Sequence, residues 1–187
     1  MSNYPEPDGI SFEGMLPLSW SPLAQPVPLF TLDEWMHTNV AILRALSTME
    51  AVSIDKENEL GTVAAKAIDR LEAKIDLSIN LLSRLLSQSI NFPEAVTTRL
   101  SAHEINWLSP AGPALGTDIV ISLYLSHKIP QQLVFPAKVT HAEMTAEGQR
   151  TRALFINLSI EMQDWLERTV FRYHRRAIQF RHNTKLD

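Results

Sequence analysis

The chain has no cysteine among its 187 residues. That excludes disulfides, thiolate nucleophiles and cysteine-ligated zinc together, and it agrees with a reducing compartment. Also missing is any apolar run near the ~20 residues that a membrane-spanning helix requires. The start, MSNYPEPDG, has neither a basic segment nor the apolar core of a signal peptide, so the expectation is a cytoplasmic protein with no membrane partner. A large excess of either sign of charge is missing as well, with 17 Lys and Arg against 21 Asp and Glu. A net charge of −4 gives no global attraction to nucleic acid, which is not expected as a partner. What is present, 45% hydrophobic and 20% charged residues, suits one ordinary globular core with a substantial extension, or two small units.

Three segments follow from local composition. Residues 1–30 hold six of the eleven prolines (Pro5, Pro7, Pro17, Pro22, Pro26 and Pro28), which excludes a helix and most central-strand positions, so an extended arm is expected there. Its part FEGMLPLSW could supply a strand or cover an open sheet edge, with Pro17 tolerable only at an edge. Residues 31–92 read as a helical module. Thr31 and Glu34 have the spacing of a capping box, and Leu32, Trp35, Val40, Leu43 and Leu46 recur at threes and fours.

From Leu60 to Asn91 the apolar spacing becomes that of heptads. Ala64, Ile68, Leu71, Ile75, Leu82 and Leu85 fall at a and d, and Ile79 widens the stripe; Asp69, Asp76 and Asn80 lie on the opposite side. A helix of this extent is about 45 Å long at ~1.5 Å per residue, more than a small domain can cover. The stripe is therefore expected to build a homo-oligomer, with a tetrameric coiled-coil bundle favoured.

After Pro93 the pattern is that of strands. VTTRL, EINWL, DIVISLYL, QLVFPAKVTHAEM and TRALFINL alternate apolar and polar positions and are separated by turn residues. Five short strands with no helices between them point to an antiparallel sheet or small barrel over 93–187. The last segment, from Ser159 as N-cap, has the apolar positions of a helix packed on one side. The fold class expected is α+β: a small antiparallel barrel with a C-terminal helix, preceded by long heptad-repeat helices.

An antiparallel barrel ending in LFINLS and followed by DWLERTVFRYHRRAI resembles the PilZ domain. The similarity is closer to atypical bacterial PilZ proteins with a heptad-bearing helical insertion, where LPLSW, LEAKIDLSINLLSRLL, RLSAHEI and FRYHRR have counterparts. The resemblance implies a cyclic di-GMP receptor that uses R-x-x-x-R before the barrel and D/N-x-S-x-x-G on its first strands. Paired arginines would fork onto phosphates and guanine edges. Here the second motif maps onto Arg99, Leu100, Ser101, Ala102, His103 and Glu104, and only the serine is kept. Arg99 inverts the charge of the Asp or Asn, and Glu104 puts an acid, facing the phosphate, where glycine would allow close backbone approach. SINFPEAVTT upstream has no arginine. Cyclic di-GMP is accordingly not expected at this degenerate motif.

Other chemistry is thin. His103 and Glu104 are adjacent rather than in H-E-x-x-H, His141 and Glu143 make a two-residue pair on a strand, and Ser101 with His103 lacks triad geometry and an oxyanion loop. No metal, no cofactor and no enzymatic activity are expected. The single basic concentration is Arg168, Arg172, Arg175, Arg176 and Arg181, interleaved with Phe171, Tyr173, His174 and Phe180; it reads either as a docking patch for an acidic protein partner or as a solvated helix face. The reading overall is a non-catalytic signalling adaptor that self-assembles and contacts an unidentified protein. Its alternatives are a true receptor with substitute arginines and a purely structural coiled-coil scaffold.

Overall fold

The structure, a computed structural model, describes residues 9–50, 67–68, 70–71, 73–75, 77–79, 81–82, 85, 92–126 and 129–183. In chain order its elements are β1 (Phe12–Pro22), α1 (Leu29–Glu50), β2 (Ala95–Leu100), β3 (Glu104–Ser109), β4 (Asp118–Leu123), β5 (Leu133–Thr145), β6 (Gly148–Phe155) and α2 (Ile160–Asn183). The six strands form a closed antiparallel barrel in the order β1-β2-β3-β6-β5-β4. Five strands come from the alternating segments after Pro93. The sixth comes from the proline-rich segment at the start, so the barrel takes in residues on both sides of the helical module.

Closure depends on β1 changing partners. Phe12–Pro17 pair with β2, and Leu18–Pro22 pair with β4. Pro17 therefore lies on no free edge. It sits at the hand-over between two partners, where its missing N–H interrupts neither ladder and its carbonyl accepts from the Tyr124 N–H at 3.1 Å. At the opposite hairpin, Gly148 has φ +131°, and a Cβ there would come within 2.6 Å of the Ser109 carbonyl oxygen, so only glycine fits.

Alternation fills the lumen. Leu100, Ile105, Trp107, Ile121, Phe135 and Val139 point inward and are buried, while alternate positions such as Asn106, Val120 and Lys138 are more exposed. α1 begins at Leu29, directly after Pro28, rather than at Thr31. The Leu32 N–H bonds to the Pro28 carbonyl, so Thr31 lies inside the first turn and does not cap. α2 is capped as its sequence suggests, by Ser159 Oγ accepting from the Met162 N–H at 3.1 Å. α1 buries Met36, Val40, Leu43 and Leu46 against β5 and α2, and α2 buries Met162, Leu166 and Val170.

The described residues between Ala67 and Leu85 have helical backbone. Ala64 and much of the heptad segment lie outside the described residues, and one long helix, α1, precedes β2 among the described elements. No helix among the described residues is long and apolar enough to cross a membrane.

One side chain fixes α1 on the barrel. Asn39, fully buried, donates from Nδ2 to the Val134 carbonyl at 2.7 Å and accepts the Val134 N–H on Oδ1 at 2.9 Å. Val134 pairs with Ser122 of β4 on its other side, and β6 joins β5 only from Ala137 onward. The amide thus stands in for a missing strand at the start of β5, which has β4 but not β6 beside it. Asn39→Leu would leave both backbone groups without partners and is expected to cost about 2–3 kcal/mol. A urea unfolding midpoint unchanged from wild type would show that the contact contributes nothing.

Candidate functional site

The β2–β3 connection is built by Ser101. Its N–H donates to the Glu104 carbonyl at 2.9 Å, and its buried Oγ accepts from the Glu104 N–H at 3.1 Å and the His103 N–H at 3.3 Å. This is a serine turn in which the hydroxyl does the work of a backbone acceptor. The one motif residue that is kept therefore serves the turn itself.

Glu104 corrects the sequence reading. As a substitute for glycine it is expected to confront a ligand with negative charge; in the structure it is 5% exposed and already paired. Its Oε2 accepts from Arg152 Nε at 2.8 Å and Nη2 at 2.5 Å, and its Oε1 accepts from Asn106 Nδ2 at 3.3 Å. Arg152 reaches it from β6, the strand beside β3. Both guanidinium N–H groups meet one carboxylate oxygen, a charge-assisted contact that compensates part of the desolvation of burying Glu104.

Arg99 is also occupied. It lies opposite Glu13 of β1, with Nε donating to Ser11 Oγ at 3.0 Å and standing 3.5 Å from Glu13 Oε1. Across the outer wall, register places Glu13, Arg99, Asn106, Arg152 and His141 in one row. His141 Nε2 lies 3.6 Å from Glu143 Oε2, both exposed. His103 and Glu104 diverge, the first exposed and the second buried.

The arginines of α2 do not share one surface. Arg172 turns inward: Nη1 donates to Ser47 Oγ of α1, and Nη2 donates to Thr169 Oγ1 at 3.1 Å. Arg168 pairs with Asp164 at 2.9 Å and lies over the Trp165 ring, whose centroid is also approached by Arg44 of α1. Arg175 lies over Phe171, and Arg176 is half-buried. Between them His174 donates from Nδ1 to the Ser11 carbonyl at 2.8 Å, which holds the start of β1 against α2. Of the heptad residues, Leu71, Ile75, Leu82 and Leu85 are each more than half exposed, and Ile68 and Ile79 are half-buried.

Sequence reasoning missed Asn39 and Arg152. Arg152 sits at an outward position of TRALF, and its partner acid lies 48 residues earlier, so only the strand order brings them together.

A closed six-stranded antiparallel barrel with a helix packed after its last strand is PilZ-like. The chain belongs to the family described as atypical PilZ domain, cyclic di-GMP receptor, whose pattern it matches over residues 43–182. It is also similar, at 29% identity, to a solved protein of Xanthomonas campestris; the match covers 92% of each chain with a TM-score of 0.74. That protein is described as a tetrameric PilZ domain self-assembled via an unusual helical bundle. Among curated proteins, none matches the chain.

Glu104→Ala and Arg152→Ala are each expected to cost about 2–4 kcal/mol, because each strands a charge that burial leaves poorly solvated. The double variant should cost less than the two together. Strictly additive urea-unfolding energies would mean that the pair is not coupled.

Proposed function

We propose that the chain is a non-catalytic adaptor of the cyclic di-GMP signalling system that self-assembles through its helical segment and does not take the nucleotide at the degenerate motif. The observation that carries this reading is the internal commitment of all three motif side chains. Ser101 is used by the turn, Glu104 by Arg152, and Arg99 by Ser11 and Glu13. A nucleotide at this position would have to displace the start of β1 from Arg99, and the ten residues before Arg99, SINFPEAVTT, offer no second arginine. If each missing contact, from the two arginines of R-x-x-x-R and the Asp or Asn replaced by Arg99, is worth about 1.5–3 kcal/mol, the three losses remove roughly three decades of affinity or more.

A second reading is favoured by one observation. Arg99 is half-exposed on the outer wall, and the family is described as a receptor, so a nucleotide phosphate arriving from outside could replace Glu13 on its guanidinium. Calorimetric titration with cyclic di-GMP separates the two readings. The adaptor gives no saturable heat in the micromolar range for wild type. Saturable micromolar heat that disappears in Arg99→Ala would establish the receptor.

Assembly is supported by the exposed apolar residues Leu71, Ile75, Leu77, Leu81, Leu82 and Leu85, a stripe that a lone chain leaves in water. The Xanthomonas campestris protein, tetrameric through a helical bundle, supports a tetramer here. Light scattering should give about four times the 21.1 kDa of one chain. Leu71→Asp with Leu82→Asp, which places unpaired charge in the seam, should give monomers or insoluble protein. A wild-type monomer at micromolar concentration would remove the assembly reading. The cysteine-free composition is consistent with a cytoplasmic setting for this assembly.

A further inference from the structure

Away from the motif, at the end of the barrel, a cavity of about 270 Å³ lies where three parts of the chain meet. The β1–α1 linker forms one wall, with Leu23, Gln25 and Val27, and Leu32 of the first turn of α1 continues it. Asp118 and Pro136 of the barrel form the second. Ile156 and Asn157 form the third, where the chain leaves β6 for α2 and Asn157 takes a left-handed φ of 57°. The linker is held in place by the Leu23 N–H, which donates to the Asp118 carbonyl at 2.8 Å.

Asp118 is the only ionisable residue in the lining. Lys138 faces it in register on β5, yet no ion pair joins the two, and among the described residues no side chain pairs with the Asp118 carboxylate. Beside it stand two side-chain amides, Gln25 and Asn157, and the remaining lining is mainly aliphatic or proline. The chain close to the cavity is unusually apolar for a surface. Leu29, Phe30 and Ile160, each within three residues of a lining position, are 79%, 80% and 88% exposed.

A free carboxylate with amide acceptors at its side and aliphatic walls is complementary to a lysine or arginine side chain, whose stem is apolar and whose head is a hydrogen-bonding cation. The apolar residues around it suit aliphatic neighbours of that basic residue. We propose that this cavity is a docking site for a short segment of a partner protein carrying a lysine or arginine flanked by apolar residues. The site shares no residue with the motif or the heptad stripe, so it stands whether or not the adaptor reading does.

The test uses the full chain labelled with ¹⁵N and two probe peptides, acetyl-Leu-Arg-Leu-amide and acetyl-Leu-Glu-Leu-amide, followed by amide shifts. The arginine peptide should produce saturable shifts centred on Gln25, Asp118 and Asn157, and the glutamate peptide should not. Asp118→Asn removes the charge while leaving the backbone carbonyl that holds Leu23, and should weaken the arginine peptide about tenfold or more. Ala24→Trp, at an exposed lining position, fills the cavity while keeping Asp118 in place and should abolish the shifts while the melting temperature holds. No saturable shift with the arginine peptide, equal response to both peptides, or undiminished binding in Asp118→Asn would each overturn the proposal.

Discussion

Everything else in the molecule depends on β1 pairing along both of its sides. Without Phe12–Pro22, β2 and β4 would present two unpaired edges and the lumen would open to water along its length. Because β1 lies before the helical segment and β2 after it, residues 23–94 are topologically an insertion between two adjacent strands. Such an insertion is cheap to carry. Loop-closure entropy grows only logarithmically, about 0.6 kcal/mol for each doubling of length, so the barrel tolerates a long excursion once its two ends are pinned side by side.

The pinning is reinforced on the way out of the barrel. Asn39 ties α1 to the start of β5, which β6 does not reach, and Arg172 and Trp165 tie α1 to α2 through Ser47 and Arg44. α2 in turn holds the start of β1 through His174 on the Ser11 carbonyl and Tyr173 against Phe12. Barrel, α1 and α2 are thus linked in a ring of contacts that begins and ends at β1. The basic run of α2, which in sequence looks like a surface patch, spends one of its arginines and its histidine on this ring.

The barrel was largely legible in the sequence because period-two alternation is a local signal. β2 to β6 each announce themselves through segments such as EINWL and DIVISL, and Ser159 marks the start of α2 by its own capping chemistry. β1 was less legible, since its prolines argue against a central strand unless a change of partner falls at Pro17. The true start of α1 was obscured in a similar way, because Thr31 and Glu34 have the spacing of a capping box while Pro28 supplies the first accepting carbonyl. The Glu104–Arg152 and Asn39–Val134 contacts join elements far apart in the chain. No local pattern encodes them, and they become visible only when the strand order is known. The cavity beside Asp118 belongs to the same class, since three separated segments build it and none shows it alone.

Those long-range contacts also explain how the barrel carries charged side chains at positions 99 and 104 without losing its fold. A glutamate as buried as Glu104 would by itself be strongly destabilising, because an isolated carboxylate is costly to desolvate. Arg152 on the adjoining strand compensates that cost, and Asn106 between them satisfies the second carboxylate oxygen. Arg99 is balanced in a parallel way from the other side, by Glu13 and Ser11 of β1. These charges thus serve as contacts between neighbouring strands of the barrel wall: β1 to β2 through Arg99, and β3 to β6 through Glu104. A change that restored a free arginine here would have to leave an acid unpaired in the same wall. Freeing either arginine and keeping these wall contacts therefore pull against each other at these positions.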